Sequence, residues 1–280
     1  MLKLDSHQHF WDLANLQYPW LTPDMTSLYR NFEPADLVPE LAKAEVGGSI
    51  VVQASHTQAE TRWLLGLSRQ HDFIKGVVGW ADLTAYNLDE QLDQLIEQGK
   101  LCGLRHQVHD ELEPAWLLQS KVIRGLRLVA QKGLTYDLLL RPAHLKSLPA
   151  LFTAVPEMRW VIDHLAKPTI KSGQLEPWLA DLKRAAAYPN VYCKVSGLIT
   201  EADPQHWTAA DIKPYFEKAL EFFGPARLLF GSDWPVCLLA GSYQQVVALA
   251  TTLTASLTPS EQTAFWLQTA QEVYKLNQTA

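Results

Sequence analysis

Cysteine is scarce in this chain: Cys102, Cys193 and Cys237 are the three present in 280 residues. Their spacing fits neither a thiolate metal site nor a disulfide framework, which points to a reduced, cytoplasmic setting. Uninterrupted apolar runs are equally lacking. None approaches the roughly 18 residues that a membrane helix requires, and the first residues lack the charged start and apolar core of an export signal. Basic residues are outnumbered, 24 against 30 acidic, for a net charge of −6 without any Lys/Arg stripe to hold a nucleic acid. A Gly-rich phosphate turn after the first strand is missing, so a doubly wound nucleotide-binding sheet is disfavoured. No linker or low-complexity tract divides residues 1–280, and a single domain is expected.

What is present is a repeat of strand and helix. Eight β-rich runs occur at Leu2 to Ser6, Ser49 to Gln53, Ile74 to Trp80, Leu101 to Arg105, Leu134 to Leu140, Arg159 to Asp163, Val191 to Val195 and Arg227 to Gly231. Helical patterns separate them, near Pro34 to Ala44, Gln58 to His71, Leu88 to Gln98, Val122 to Gln131, Ala143 to Ala154, Pro177 to Ala187, Lys213 to Phe222 and Tyr243 to Thr254. An amphipathic stretch from Pro259 to Leu276 follows. Eight strand-then-helix units predict an α/β fold, a (β/α)8 TIM barrel with an additional C-terminal helix, whose active site lies at the C-terminal ends of the strands.

The chemistry-bearing residues fall at those ends. His7 and His9 are two apart on a strand, so both imidazoles aim into one space. Asp233, in Gly231-Ser232-Asp233-Trp234-Pro235, ends the eighth run, and His164 ends the sixth. Three imidazoles and a carboxylate converging at strand ends suggest hydrolytic chemistry, with or without a metal. Alternation places Tyr192, Lys194 and Ser196 inside the barrel on the seventh strand. On the first it turns Leu2 and Leu4 outward and Lys3, Asp5, His7 and His9 inward. A buried ionic cluster of Asp5, Asp137 and Lys194 is therefore expected beneath the site, because an unpaired interior charge is costly.

Read together, Asp5-Ser6-His7-Gln8-His9-Phe10-Trp11, Tyr18-Pro19-Trp20-Leu21, Gly103-Leu104-Arg105-His106-Gln107, Asp163-His164-Leu165-Ala166-Lys167-Pro168, Lys194-Val195-Ser196-Gly197-Leu198 with Thr200-Glu201-Ala202, and Gly231-Ser232-Asp233-Trp234-Pro235 resemble the sugar-lactonase branch of the amidohydrolase superfamily. That branch includes L-fuconolactonase, L-rhamnonolactonase and 2-pyrone-4,6-dicarboxylate lactonase. The fourth strand lacks a bridging lysine or carboxylate and the fifth lacks a histidine, so two metals are not expected. The resemblance implies at most one divalent ion, zinc or another, on His7, His9, His164 and Asp233, or none, since members of the branch are reported with zinc bound and as metal-independent. No organic cofactor is implied.

The resemblance further implies that the chain opens a small aldonolactone, L-fuconolactone or L-rhamnonolactone before the pyrone. Asp233 is expected to act as general base and then acid, with His7, His9 and His164 polarising the carbonyl. Substrate binding is assigned to Arg105, His106, Trp11, Trp20, Trp80, Glu201 and Trp234: the cation and polar groups for hydroxyls or a carboxylate, the indoles for stacking on the ring. Arg105 is expected to face inward, and His106 only if the strand breaks there. His56 is expected to be a solvated loop residue. The connection from Trp11 to Phe32 is a candidate lid. A small-molecule lactone is the expected partner, with a homo-oligomer left open. On the same four residues, a metal-dependent decarboxylase of aromatic or muconate acids is the competing enzyme, and a non-catalytic scaffold barrel the alternative of a different class.

Overall fold

The computed structural model describes residues 2–276 apart from residues 112 and 114. Eight strands, β1 (Leu4–Gln8), β2 (Gly48–Val52), β3 (Ile74–Gly79), β4 (Leu101–Gln107), β5 (Thr135–Leu139), β6 (Arg159–Ile162), β7 (Val191–Val195) and β8 (Leu228–Phe230), form one sheet in sequence order. Every neighbouring pair is parallel. Beyond β8 the chain returns to β1: His9 N donates to Trp234 O at 2.7 Å and Asp233 N to His7 O at 2.8 Å. The result is a (β/α)8 barrel.

Helices cover the outside because their apolar stripes face the strands and their first turns are capped locally. Thr57 accepts from Glu60 N, Ser242 from Gln245 N and Thr258 from Glu261 N. Two helices begin elsewhere than their periodicity suggests. The chain from Pro142 to Ser147 winds as a 3-10 turn, so the helix expected from Ala143 starts at Leu148. Conversely, reciprocal capping between Thr208 and Asp211 starts the next long helix at Ala209 rather than Lys213. No helix among the described residues is long and apolar enough to cross a membrane.

Inside the barrel Leu4, Ile50, Val52, Val78, Cys102, Val161 and Leu229 form a small apolar plug. The C-terminal segment, Pro259–Thr263, a π-helical turn Ala264–Gln268 and Thr269–Val273, closes it from below with Ala270, Val273 and Tyr274. That leaves only the opposite mouth open to substrate.

The first strand corrects the expected parity. Between Asp5 and Gln8 it carries one residue more than β2 opposite it, and such a bulge inverts alternation. Leu4 therefore points in. Asp5 points out, accepting from Ser232 N at 2.9 Å and from the Tyr243 hydroxyl at 3.1 Å. His7, within the irregular stretch, and His9, beyond it, keep their inward direction.

The buried cluster exists with a different third member. Lys194 Nζ lies 2.5 Å from Asp137 Oδ2 and 3.1 Å from Asp163 Oδ1, all of them without solvent exposure. Burial works against the ammonium, but the two carboxylates outweigh it and hold the Lys194 pKa above its ordinary value. Removing that ammonium leaves two buried carboxylates short of a partner. Lys194→Met should cost about 3 to 5 kcal/mol of unfolding free energy in urea titrations. Adding Asp137→Asn should recover part of it, and a single-variant loss below about 1 kcal/mol would contradict the cluster's role.

Candidate active site

His9, Arg105, His164 and Asp233 share a cleft of about 590 Å³ at the C-terminal mouth with Trp20, Gln107, His109, Asp110 and Lys167. Its centre is Asp233 Oδ1. That atom lies 3.3 Å from His9 Nε2, 3.6 Å from His7 Nε2 and 3.8 Å from His164 Nε2. His7 and His9 meet through the same nitrogens at 3.2 Å.

Backbone conformations that side chains rarely adopt create this convergence. Asp233 sits at φ 58°, and His164, Leu165, Ala166 and Lys167 run consecutively at φ 55°, 51°, 60° and 53°. Strand parity alone would send the neighbours Asp163 and His164 to opposite faces. The left-handed turn instead brings both indoors and returns Lys167, which donates its amide to His164 O at 2.8 Å, to the same wall. Each such residue costs on the order of 1 kcal/mol, a strain that clusters at functional sites. Gly197 makes room for them: at φ 61°, a Cβ there would stand 2.6 Å from His164 Nδ1 and 3.1 Å from Asp233 Oδ2.

Each histidine has its other nitrogen engaged. His9 Nδ1 meets Val52 O at 2.8 Å and His164 Nδ1 meets the Ser196 hydroxyl at 2.8 Å. His7 Nδ1 faces Asp163 Oδ1 at 3.3 Å and Lys194 Nζ at 3.1 Å. Burial lowers all three histidine pKa values, that of His164 to about 4. Burial pushes the Asp233 carboxyl up, but His164, His9 and His7 together outweigh it and hold it below its ordinary value. At neutral pH the centre is one carboxylate among neutral imidazoles.

The ligand atoms of His7, His164 and Asp233 all lie within 4.8 Å of one another. Donors around a tetrahedral ion at ~2.1 Å stand ~3.4 Å apart. The spacings of His7 and His164 about Asp233 Oδ1, 3.6 and 3.8 Å, are near that value, and two imidazoles with one carboxylate are a chemically suitable donor set for a single divalent ion, whereas His9, the fourth expected ligand, stands outside the group.

Arg105 points inward, as strand position predicts, to Asp163 Oδ2 at 3.1 Å and His7 Nε2 at 3.2 Å. His106 does not join it. Strand β4 continues to Gln107, leaving His106 stacked between His56 and Trp116 at ring separations of 4.1 Å. His56 is accordingly half-buried rather than solvated, its Nε2 accepting from Gln107 N. Of the tryptophans assigned to the rim, Trp20 lines the cleft. Trp11 packs beneath it against Trp20 and Phe32, Trp234 packs on Phe10 and Phe32, and Trp80 donates to His106 Nδ1 behind the wall. Glu201 reaches the cleft through Lys167, its ion-pair partner at 2.9 Å. Gln107, His109, Asp110 and Lys167 complete the polar wall. Gln107 and Lys167 lie in segments that carry the family resemblance, whereas the residue types of His109 and Asp110 give no signal beyond proximity to a strand end.

The loop from Trp11 to Phe32 is tied at its base by mutual backbone bonds of 3.0 Å between those two residues. Its tip is tied too: Trp20 Nε1 donates to Ala54 O and the Ser55 hydroxyl to Gln17 O, each at 2.7 Å. Glu60 holds the far side by accepting from Ala54 N and Ser55 N at 3.0 and 2.9 Å.

The amidohydrolase family model matches residues 4–276. The chain belongs to that family. It is 39% identical over 291 residues to an L-fucono-1,5-lactonase of Burkholderia multivorans, covering 100% of this chain and 98% of that protein. To an L-fucono-1,5-lactonase of Burkholderia ambifaria it is 38% identical, over 86% of this chain and 83% of that one. A crystal structure of an amidohydrolase from Burkholderia multivorans with bound zinc superposes with a TM-score of 0.93 at 38% identity, covering 98% and 99% of the two chains.

Burial pushes the Glu60 carboxyl up to about 8, against the pull of the Ser55 and Ala54 amides. The folded state then binds the proton more tightly than the unfolded chain, so the group's contribution falls as pH rises from about 4.5 to 8. Glu60→Gln should remove that slope. Urea titrations at pH 5 and pH 8 should show wild type losing up to a few kcal/mol relative to the variant. A pH-independent difference would sink the assignment.

Proposed function

We propose that this amidohydrolase opens a sugar lactone to its aldonate, with L-fucono-1,5-lactone as the preferred substrate and Asp233 as the proton-transfer group. The observation that carries the reading is the convergence of His7, His9 and His164 on Asp233 Oδ1 within 3.8 Å, in a cleft that also holds Arg105 and Lys167. The full-length likeness to L-fucono-1,5-lactonases supports it.

Lactone hydrolysis forms a bond from water oxygen to the carbonyl carbon and breaks the bond from that carbon to the ring oxygen. Asp233 takes a proton from the attacking water and returns it to the departing ring oxygen; the new carboxylic acid then ionises, and that proton is what a weak buffer registers. With Oδ1 turned to the imidazoles, Oδ2 beside Gly197 is the atom suited to carry the proton. The Arg105 guanidinium and His164, whose Nδ1 can accept from the Ser196 hydroxyl and so keep its proton on Nε2, stabilise the charge that develops on the carbonyl oxygen. A divalent ion held by His7, His164 and Asp233 would supply Lewis acidity to the same carbonyl. Zinc is the ion we expect.

The walls suit a neutral ring. Trp20, Leu139 and Val236 offer apolar contacts to the methyl group of a 6-deoxy sugar, and Gln107, His109 and Asp110 line the same cleft with groups for its hydroxyls. A dicarboxylated pyrone needs free cations, and both cations here are already paired, Arg105 with Asp163 and Lys167 with Glu201.

Asp233→Asn should lower kcat/KM by ~10^2 to 10^4 with little change in the folded state, read by proton release from L-fucono-1,5-lactone in weak buffer. Activity retained within a few-fold would remove Asp233 from the mechanism. Across L-fucono-1,5-lactone, L-rhamnonolactone and pyrone dicarboxylate, kcat/KM should be highest for the first and lowest for the last. A preference for the pyrone, or carbon dioxide release from an aromatic acid without lactone turnover, would overturn the substrate reading.

A further inference from the structure

We propose that Arg105 and a divalent ion compete for the same nitrogen of His7, so that the barrel carries a resident cation which metal must displace. The inference rests on the metal-holding part of the reading above.

His7 Nε2 is the nitrogen that faces Asp233 Oδ1 and His9 Nε2, at 3.6 and 3.2 Å. It is therefore the one an ion in this site would take. Arg105 Nη1 already stands 3.2 Å from it. A guanidinium is always charged and only donates, and a neutral imidazole has a single lone-pair nitrogen, so a hydrogen bond from Arg105 occupies the electron pair that a metal requires.

The guanidinium is not a passing neighbour. Arg105 is 3% exposed. Its Nη1 is held by Asp163 Oδ2 at 3.1 Å, and its Nη2 by Gln53 Oε1 at 3.1 Å and by the Gln53 carbonyl. On the other ring nitrogen of His7, the Nδ1 proton has Asp163 Oδ1 as its acceptor at 3.3 Å, with Lys194 Nζ 3.1 Å from the same nitrogen. Two fixed cations thus flank one ligand, their charge offset in part by the Asp163 carboxylate that pairs with both, while Asp233 alone of the ligand residues brings negative charge. Coulomb repulsion and the blocked lone pair act in the same direction, against the ion. When Arg105 is seated on His7, its own charge is available to polarise a carbonyl in the cleft that Arg105 shares with His164 and Asp233.

The test measures zinc affinity directly, by competition with a chromophoric chelator on metal-stripped protein whose folding is checked by circular dichroism. Arg105→Gln should bind zinc at least about tenfold more tightly than wild type, whereas Arg105→Lys, which keeps the charge, should gain much less. General damage to the site would move affinity the other way. Equal or weaker zinc binding by folded Arg105→Gln overturns the competition and leaves the metal reading standing; zinc binding by none of the proteins overturns both. Should Arg105→Gln fail to fold, because Asp163 loses a partner, crystals of the wild type decide the matter. With zinc on His7 Nε2, Arg105 Nη1 should lie beyond about 4 Å from that atom, outside hydrogen-bonding range. If it remains within hydrogen-bond distance beside the bound ion, the proposal is wrong.

Discussion

The mouth of this barrel stands on one ammonium that never meets water. Lys194, on β7, is clasped by Asp137 from β5 and Asp163 at the end of β6, and it touches His7 from β1. Desolvating a charge costs several kcal/mol, so the arrangement holds only while every partner keeps its place. From below, the Tyr274 hydroxyl donates to Asp137 at 2.8 Å. From above, Asp163 takes Arg105. The C-terminal segment, three strands and the arginine are thereby fastened to one His7 ring, which can neither tilt nor swing without uncovering a buried charge.

Above that floor the site depends on backbone strain. The four left-handed residues from His164 to Lys167 and the single one at Asp233 each occupy a region that a β-carbon disfavours. Packing around them supplies the offset: Trp178 donates to Leu165 O in the middle of the turn, and Asp233 N is tied to His7 O. Gly197 is the complement of both strained segments, since its missing side chain is the space in which His164 and Asp233 meet. Serine or alanine at that position would restore an ordinary residue and close the site.

Much of this was legible in the sequence, for an identifiable reason. Parallel strands buried on both faces read as short apolar runs, and eight of them alternating with amphipathic helices leave few architectures. The ends of those runs located His7, His9, His164 and Asp233 near one mouth. Where parity was trusted through an irregularity it failed. Asp5 lies on the outside because the bulge following it adds one residue, an event no alternation pattern announces. Asp163, one position before His164, carries no signal of the role it has in organising both Arg105 and Lys194, because adjacent residues of a regular strand face opposite ways and here a left-handed turn brings both indoors. The tryptophans misled differently. A large flat indole at a strand end can stack on a sugar or wedge a loop against the barrel, and Trp11 and Trp234 do the latter.

The electrostatics narrow the kind of bond this centre can attack. The electrostatic pull of His164, His9 and His7 holds Asp233 below the ordinary carboxylate range, and the price of that hold is basicity, since a carboxylate with a lowered pKa is a poor acceptor for a proton from water. In the role we propose for Asp233, such a base needs an electrophile that is already reactive and a carbonyl that is strongly polarised. An amide meets the first condition badly, because nitrogen donation deadens its carbonyl and its amine leaves only after protonation. A lactone is an ester, with a more electrophilic carbonyl and an alkoxide that departs more readily. Its polarisation can come from groups this chain already owns, His164 and Arg105. The proposed base and the proposed resident cation thus describe the same compromise: a centre with modest proton-transfer power, arranged around the charge of a developing oxyanion, and matched to an ester carbonyl more closely than to an amide.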